Sequence, residues 1–144
     1  MKIKDVIFCD DIRKEVNNKF SLMGLYNDKI VIKSHPGVKI QWPVNLHFAT
    51  LIRLELDKND RFDRFEYKYI NNEIEIVKFE GKASKKEFQS FFNINVVSQI
   101  PLNIGNFGFH LTVYDGEKVV FDEVQNHAIK VSQEDISPGQ PLFA

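Results

Sequence analysis

Phe107-Gly-Phe-His-Leu-Thr-Val-Tyr114, then Asp115-Gly116, then Glu117-Lys-Val-Val-Phe-Asp-Glu-Val124 reads as two strands joined by a tight turn. An Asp-Gly pair readily takes the positive φ values of a two-residue type I′ turn, which predicts Tyr114 opposite Glu117. In that register Phe107, Phe109, Leu111 and Val113 share one face with Val120 and Val124. His110, Thr112, Tyr114, Glu117 and Glu123 fall on the other, with His110 facing Phe121. One dry face and one wetter face mark a sheet laid on a core.

The same period of two recurs along the chain. Val6, Phe8 and Ile12 alternate with Ile7, Cys9 and Asp11, and Asn17-Asn18 offers a turn into Phe20, Leu22, Gly24 and Tyr26. A short strand at Ile30 to Ile32 follows, and Pro36-Gly37 interrupts it. Val44 to Leu56 is the longest alternation, opposed by Asn45, His47, Ala49, Leu51 and Arg53. A second hairpin turning at Asn71-Asn72 sets Tyr69 opposite Ile74, Tyr67 opposite Ile76, and Lys68 opposite Glu75 as a favourable cross-strand charge pair. Phe88, Phe92, Ile94 and Val96 continue the pattern to Pro101, and His127 to Ser132 supply a last short strand. Phe88 and Phe92 are also four apart, so a short helix over 80–92 is the rival there.

About eight short strands without a long helical pattern predict an all-β, antiparallel β-sandwich, immunoglobulin-like or C2-like. A closed barrel is the alternative. A chain of 144 residues fits one domain, expected over residues 1–133, with 134–144 as an extended C-terminal tail marked by Pro138, Gly139 and Pro141. The 13 Phe predict an aromatic core. Lys and Arg number 19 against 20 Asp and Glu, so no net field recommends a polyanion, and nucleic acid is not an expected partner. Charges at Lys2, Lys4, Asp5, Asp10 and Asp11 leave no room for a signal-peptide core, and no apolar run is long enough to span a membrane. The lone Cys9 has no internal disulfide partner, and a cytoplasmic location is expected.

Phe8-Cys9-Asp10-Asp11-Ile12-Arg13, followed by Glu15, Asn18-Lys19 and Ser21-Leu22-Met23-Gly24-Leu25-Tyr26, resembles the opening of an uncharacterised bacterial protein family. Its members are short cytosolic chains with Cys-Asp/Glu-Asp-Ile/Val-Arg, an Asn-Gly-Lys turn and a Leu-x-Gly strand. Asn18 stands where Gly is common, and Asn also tolerates left-handed backbone. The resemblance covers about the first 26 residues and implies a β-sandwich with no assigned activity.

No reaction chemistry is legible. Cys9, Asp10, Asp11, Arg13 and Gly24 form the most suggestive group, yet strand alternation sends Cys9 and Asp11 to one face and Asp10 to the other. A nucleophilic thiol wants an adjacent His or positive charge, and none adjoins Cys9 in sequence. His35, His47, His110 and His127 show no metal-ligand spacing, so neither a metal nor another cofactor is expected. Leu51, Val119, Phe121 and Tyr114 add apolar area to faces expected to be wet. The leading expectation is therefore a non-catalytic module that binds a protein partner or forms a homodimer, with Trp42, Tyr114, Phe121 and His110 as candidate contact residues. The alternative is a small-ligand or carbohydrate-binding sandwich with a rim around Trp42, His35 and Asn106. A thiol enzyme using Cys9 comes last.

Overall fold

Two stacked sheets of alternating strands enclose the aromatic core in the computed structural model, which describes residues 1–136. The strands are β1 (Lys2–Lys14), β2 (Phe20–Leu25), β3 (Lys29–Ser34), β4 (Val44–Glu55), β5 (Arg64–Asn71), β6 (Ile74–Lys82), β7 (Phe91–Leu102), β8 (Gly105–Asp115) and β9 (Lys118–Asp135). A four-stranded sheet runs β2-β1-β4-β7, and a five-stranded sheet runs β3-β9-β8-β5-β6. The fold is thus the expected all-β sandwich, mostly antiparallel, with one departure: β3 lies parallel to β9. Nine strands are present among the described residues against about eight expected.

Phe48 of β4 is the centre of the core. Its ring meets Phe8 at 5.5 Å, Phe107 at 5.3 Å and Tyr69 at 5.6 Å, so both sheets close on one side chain. The Phe107 and Tyr69 contacts are edge-to-face, and pairs of that kind add about 0.5–1.5 kcal/mol each beyond burial. Two hydroxyls share this interior. Thr50 Oγ1 and Tyr69 Oη hydrogen-bond at 2.6 Å, whereas the fully buried Tyr67 hydroxyl beside them has no partner. Burial pushes both phenols to higher pKa, so they stay protonated.

The opening hairpin forms, with its turn shifted. Asp115 pairs with Lys118, and Gly116 alone takes positive φ at the first turn position, the type II′ pattern. Asp63 explains the shift: its backbone N–H donates to Tyr114 O at 2.9 Å, and its carboxylate accepts from the Gly116 N–H at 3.2 Å. A register shift between Val113 and Tyr114 then moves Phe121 to the core face opposite Val113 and sets His110 opposite Val124. The expected wet position of Phe121 is corrected accordingly; its ring packs on the core.

The second hairpin also turns one residue late. Asn72 and Glu73 both take positive φ, Asn71 pairs with Ile74, and a bulge after Tyr69 sets Tyr69 opposite Val77 and Tyr67 opposite Phe79. Lys68 lies opposite Lys78, yet its ammonium still reaches Glu75 at 3.5 Å along the diagonal. Asn71 is held out of the turn because its buried amide serves the neighbouring β7–β8 corner. Nδ2 donates to Asn103 O at 3.2 Å and Asn106 O at 3.0 Å, and Oδ1 accepts from Asn103 N at 2.7 Å. Asn72 adds bonds to Ile104 O and from Asn106 N at 2.9 Å each.

Two further expectations change. Residues 80–92 hold the end of β6, a turn and the start of β7, with no helix among the described residues; Phe88 sits outside the strand, 91% exposed at φ 65°. The last short strand is the second half of a continuous β9, whose Glu134 and Asp135 pair with Lys33 and Ser34 of β3. Those two residues belong to the sandwich, and 137–144 of the expected tail lie outside the described residues.

Candidate functional site

The corner where β2 folds back on β1 gathers the expected Cys9, Asp10, Asp11, Arg13 and Gly24, and the alternation separates them as read. Asp10 turns to the opposite face of β1 from Cys9 and Asp11, stays exposed at the end of the sandwich, and accepts a hydrogen bond from the Tyr26 hydroxyl. Gly24, at φ 66°, lies beneath it; a Cβ there would come within 2.1 Å of Asp10 Oδ2, so both backbone and space demand glycine. Tyr26 stacks on Phe48 at 5.7 Å, tying this corner to the core. Burial, then the Asp10 carboxylate, pushes the Tyr26 phenol up, so it acts as a donor.

Asp11 turns to the outer surface of the four-stranded sheet. Its Oδ1 lies 3.4 Å from His47 Nε2, Gln99 Nε2 meets His47 Nδ1 at 3.4 Å, and Arg13 Nε approaches Asp11 Oδ2 at 3.7 Å. The His47 contact, with Ile12 N–H and Arg13 adding, holds the Asp11 carboxyl below its usual range. His47 and Gln99 come from β4 and β7, which no local spacing reveals. Cys9 sits beside them, wholly buried, its Sγ directed at Asp11 O at 3.5 Å. Burial pushes the thiol up and the two aspartates push the same way, so it stays protonated at neutral pH. His47 hydrogen-bonds Asp11 and Gln99, and nothing here deprotonates the sulfur.

Beyond this polar row the outer surface becomes apolar. Register places Val97, Ala49, Cys9 and Leu25 side by side across β7, β4, β1 and β2, with Leu51 and Ile7 in the next row. Ala49 and Cys9 are flush and fully buried beneath these neighbours, while Val97 is 41% and Leu25 59% exposed. Arg53 and Asp5 close the far side as register partners, with the Arg53 guanidinium 4.2 Å over the Phe91 ring. The result is an apolar strip that runs across the sheet from edge to edge between two polar rows.

The outer surface of the five-stranded sheet is more charged, with Val119 and Val124 exposed beside Tyr114 and His110. His110 Nε2 meets Asp122 Oδ1 at 2.6 Å, and Thr112 Oγ1 donates to the same oxygen at 2.8 Å. These contacts, Thr112 first, hold the Asp122 carboxyl below its usual range. Thr112 and Asp122 approach the same ring nitrogen, so His110 does not relay a proton between them as a catalytic triad requires. Tyr114 donates to Glu66 at 3.2 Å beneath the Arg64 guanidinium, and Glu66 with Glu80 binds Lys78. Charges here are matched within the sheet.

The four candidate contact residues do not converge. His110 and Tyr114 lie on this charged surface, Phe121 faces the core, and Trp42 packs on the core with its indole N–H 3.4 Å from Gln133 Oε1. A shallow cleft of about 540 Å³ opens elsewhere, among Leu56, Lys58, Lys85 and Phe88. Among the described residues no three His, Cys, Asp or Glu side chains form a metal-holding group, and no helix is long and apolar enough to cross a membrane. No protein-family model matches this chain, and no curated protein matches it in sequence.

Proposed function

We propose that this chain is a non-catalytic β-sandwich that works by contact, docking onto protein through the outer surface of its four-stranded sheet. One observation carries the reading: on the four-stranded side the apolar side chains form a continuous row across all four strands, whereas on the five-stranded side Val119 and Val124 stand apart among paired charges. Arg64, Glu66, Lys78 and Glu80 neutralise one another on the five-stranded side, whereas Leu25, Leu51 and Val97 present apolar area on the other with nothing over it among the described residues. A surface that water alone must cover gains nothing from such side chains. The thiol-enzyme alternative draws no support from a buried, protonated Cys9, and the ligand-binding one draws none from Trp42, which is turned toward Gln133. The resemblance of the first 26 residues names no activity and is compatible with this role.

The test compares surfaces. The immobilised chain is exposed to extract of its native cell beside a Leu25→Lys/Leu51→Lys variant and a Lys78→Ala/Glu80→Ala variant. The reading expects retained proteins that the first variant loses and the second keeps. Retention that follows the second variant, or that neither variant changes, refutes it.

A further inference from the structure

Sheets end in edges, and an unpaired strand there offers its backbone N–H and C=O groups to any other strand. Proteins blunt such edges with short length, charge, proline, kinks or bulges. Three of the four edges here are blunted. β2 has six residues and the positive-φ Gly24, β3 has six with Lys29 and Lys33, and β6 carries Glu75, Lys78, Glu80 and Lys82 beside a register shift. β7 differs from all three. Its twelve residues, Phe91 to Leu102, contain no charged side chain, every one pairs with β4 in unbroken register, and the single proline, Pro101, stands one position from the end and leaves Phe91 to Ile100 open. On its other side no strand pairs with it among the described residues.

We infer that β7 is a self-pairing edge: two copies of this chain join antiparallel along it, fusing two four-stranded sheets into one of eight. The inference rests on the contact reading above and names the partner. A second copy fits better than an unrelated strand for two reasons. A two-fold axis sets each β7 residue against the one equally far beyond the axis in an identical strand, and since β7 carries no charge no like-charged pair arises in any register. The apolar row that crosses the sheet also ends at Val97 on this edge, so the axis joins two such rows and covers Val97 in both copies. β6, beside β7 across the sandwich edge, carries both signs and permits close approach.

The size of the contact sets its strength. Twelve residues at about 3.4 Å each make an edge of about 40 Å, and a strip about 10 Å deep covers about 400 Å² per copy. That is the small class of interface, so the expected dimer is concentration-dependent, forming over the micromolar range.

Registry makes the test specific. A two-fold normal to the sheet keeps outward-facing residues opposite one another, and pairing is longest with the axis at Val96 or Val97. With the axis at Val96, Asn95 faces Val97 of the second copy; with the axis at Val97, Val97 faces its own counterpart. Asn95→Lys/Val97→Lys and Asn95→Glu/Val97→Glu variants change solvent-facing positions, and circular dichroism verifies their fold. By light scattering or sedimentation from 1 to 500 μM, wild type is expected to rise from 16.8 kDa toward twice that mass. Each variant is expected to remain at 16.8 kDa, and an equimolar mixture to recover the dimer. A wild-type monomer throughout overturns the inference, as do variants that still dimerise or a mixture that does not. A monomer that nonetheless shows Leu25- and Leu51-dependent retention leaves the contact reading standing while the self-pairing falls.

Discussion

Asn71→Ala is the sharpest probe of how this sandwich is held shut. The Asn71 side chain is almost fully buried, and three hydrogen bonds at 2.7–3.2 Å fasten the β5–β6 turn to the corner where the chain crosses from β7 to β8. Alanine removes all three and leaves the Asn103 N–H and two carbonyls without those partners. At about 0.5–1.5 kcal/mol for each bond the loss is about 2–4 kcal/mol. Against a total of about 5–15 kcal/mol that is a large fraction, worth a fall in Tm of about 6–16 °C for a domain of this length. Urea denaturation followed by the fluorescence of the single tryptophan, Trp42, measures it. The transition midpoint is expected to fall at unchanged slope. Asn103→Ala is the control, because the latch uses only the Asn103 backbone, and it is expected to change stability by under about 0.5 kcal/mol. An Asn71→Ala variant as stable as that control refutes the latch.

Three further outcomes follow from the geometry. Tyr67→Phe removes a buried hydroxyl that has no partner and is expected to be neutral or stabilising by up to about 1 kcal/mol, whereas Tyr69→Phe, which strips Thr50 of its partner, is expected to cost about 1–2 kcal/mol in the same urea assay. Equal losses in the two would contradict that assignment. Gly24→Ala is expected to destabilise by about 1–3 kcal/mol through positive φ and collision with Asp10, and a double-mutant cycle with Asp10→Ala should show positive coupling; strict additivity would mean the two do not touch. Asp122 has its pKa lowered on folding, so its small, largely solvent-screened contribution is present above the ordinary carboxylate value of 3.8 and is lost as pH falls below it. Asp122→Asn should therefore lower the urea midpoint at pH 7 and converge with wild type near pH 2.5; a gap that widens on acidification reverses the sign.

Much of the architecture was readable from alternation, since Phe48, Thr50 and Ile52 must meet Phe107, Phe109 and Leu111 in a dry interior whichever turn is used. Registers were less legible because the residues that set them are remote. Asp63 draws the Asp115-Gly116 turn one residue along, and Asn71 leaves its own turn to serve Asn103. A one-residue shift at a bulge is what carried Phe121 from the wet side to the dry. In the candidate site, Cys9, Asp10, Asp11, Arg13 and Gly24 were visible as neighbours in sequence. His47 and Gln99 were not, because cross-strand register alone brings them to Asp11. The contact surface was only glimpsed through Leu51. Its other members, Ile7, Leu25 and Val97, look like ordinary strand residues until four strands align.

The parallel union of β3 with β9 ties Lys29 to Lys130, segments about a hundred positions apart. A ribosome emitting this polypeptide therefore delivers β3 long before the stretch it must lie against. Until then the ridge of Ile30 and Ile32 has no mate, and closing so distant a loop is slow. Of the pairings in this sandwich, the union of this flank is accordingly the latest that synthesis can complete.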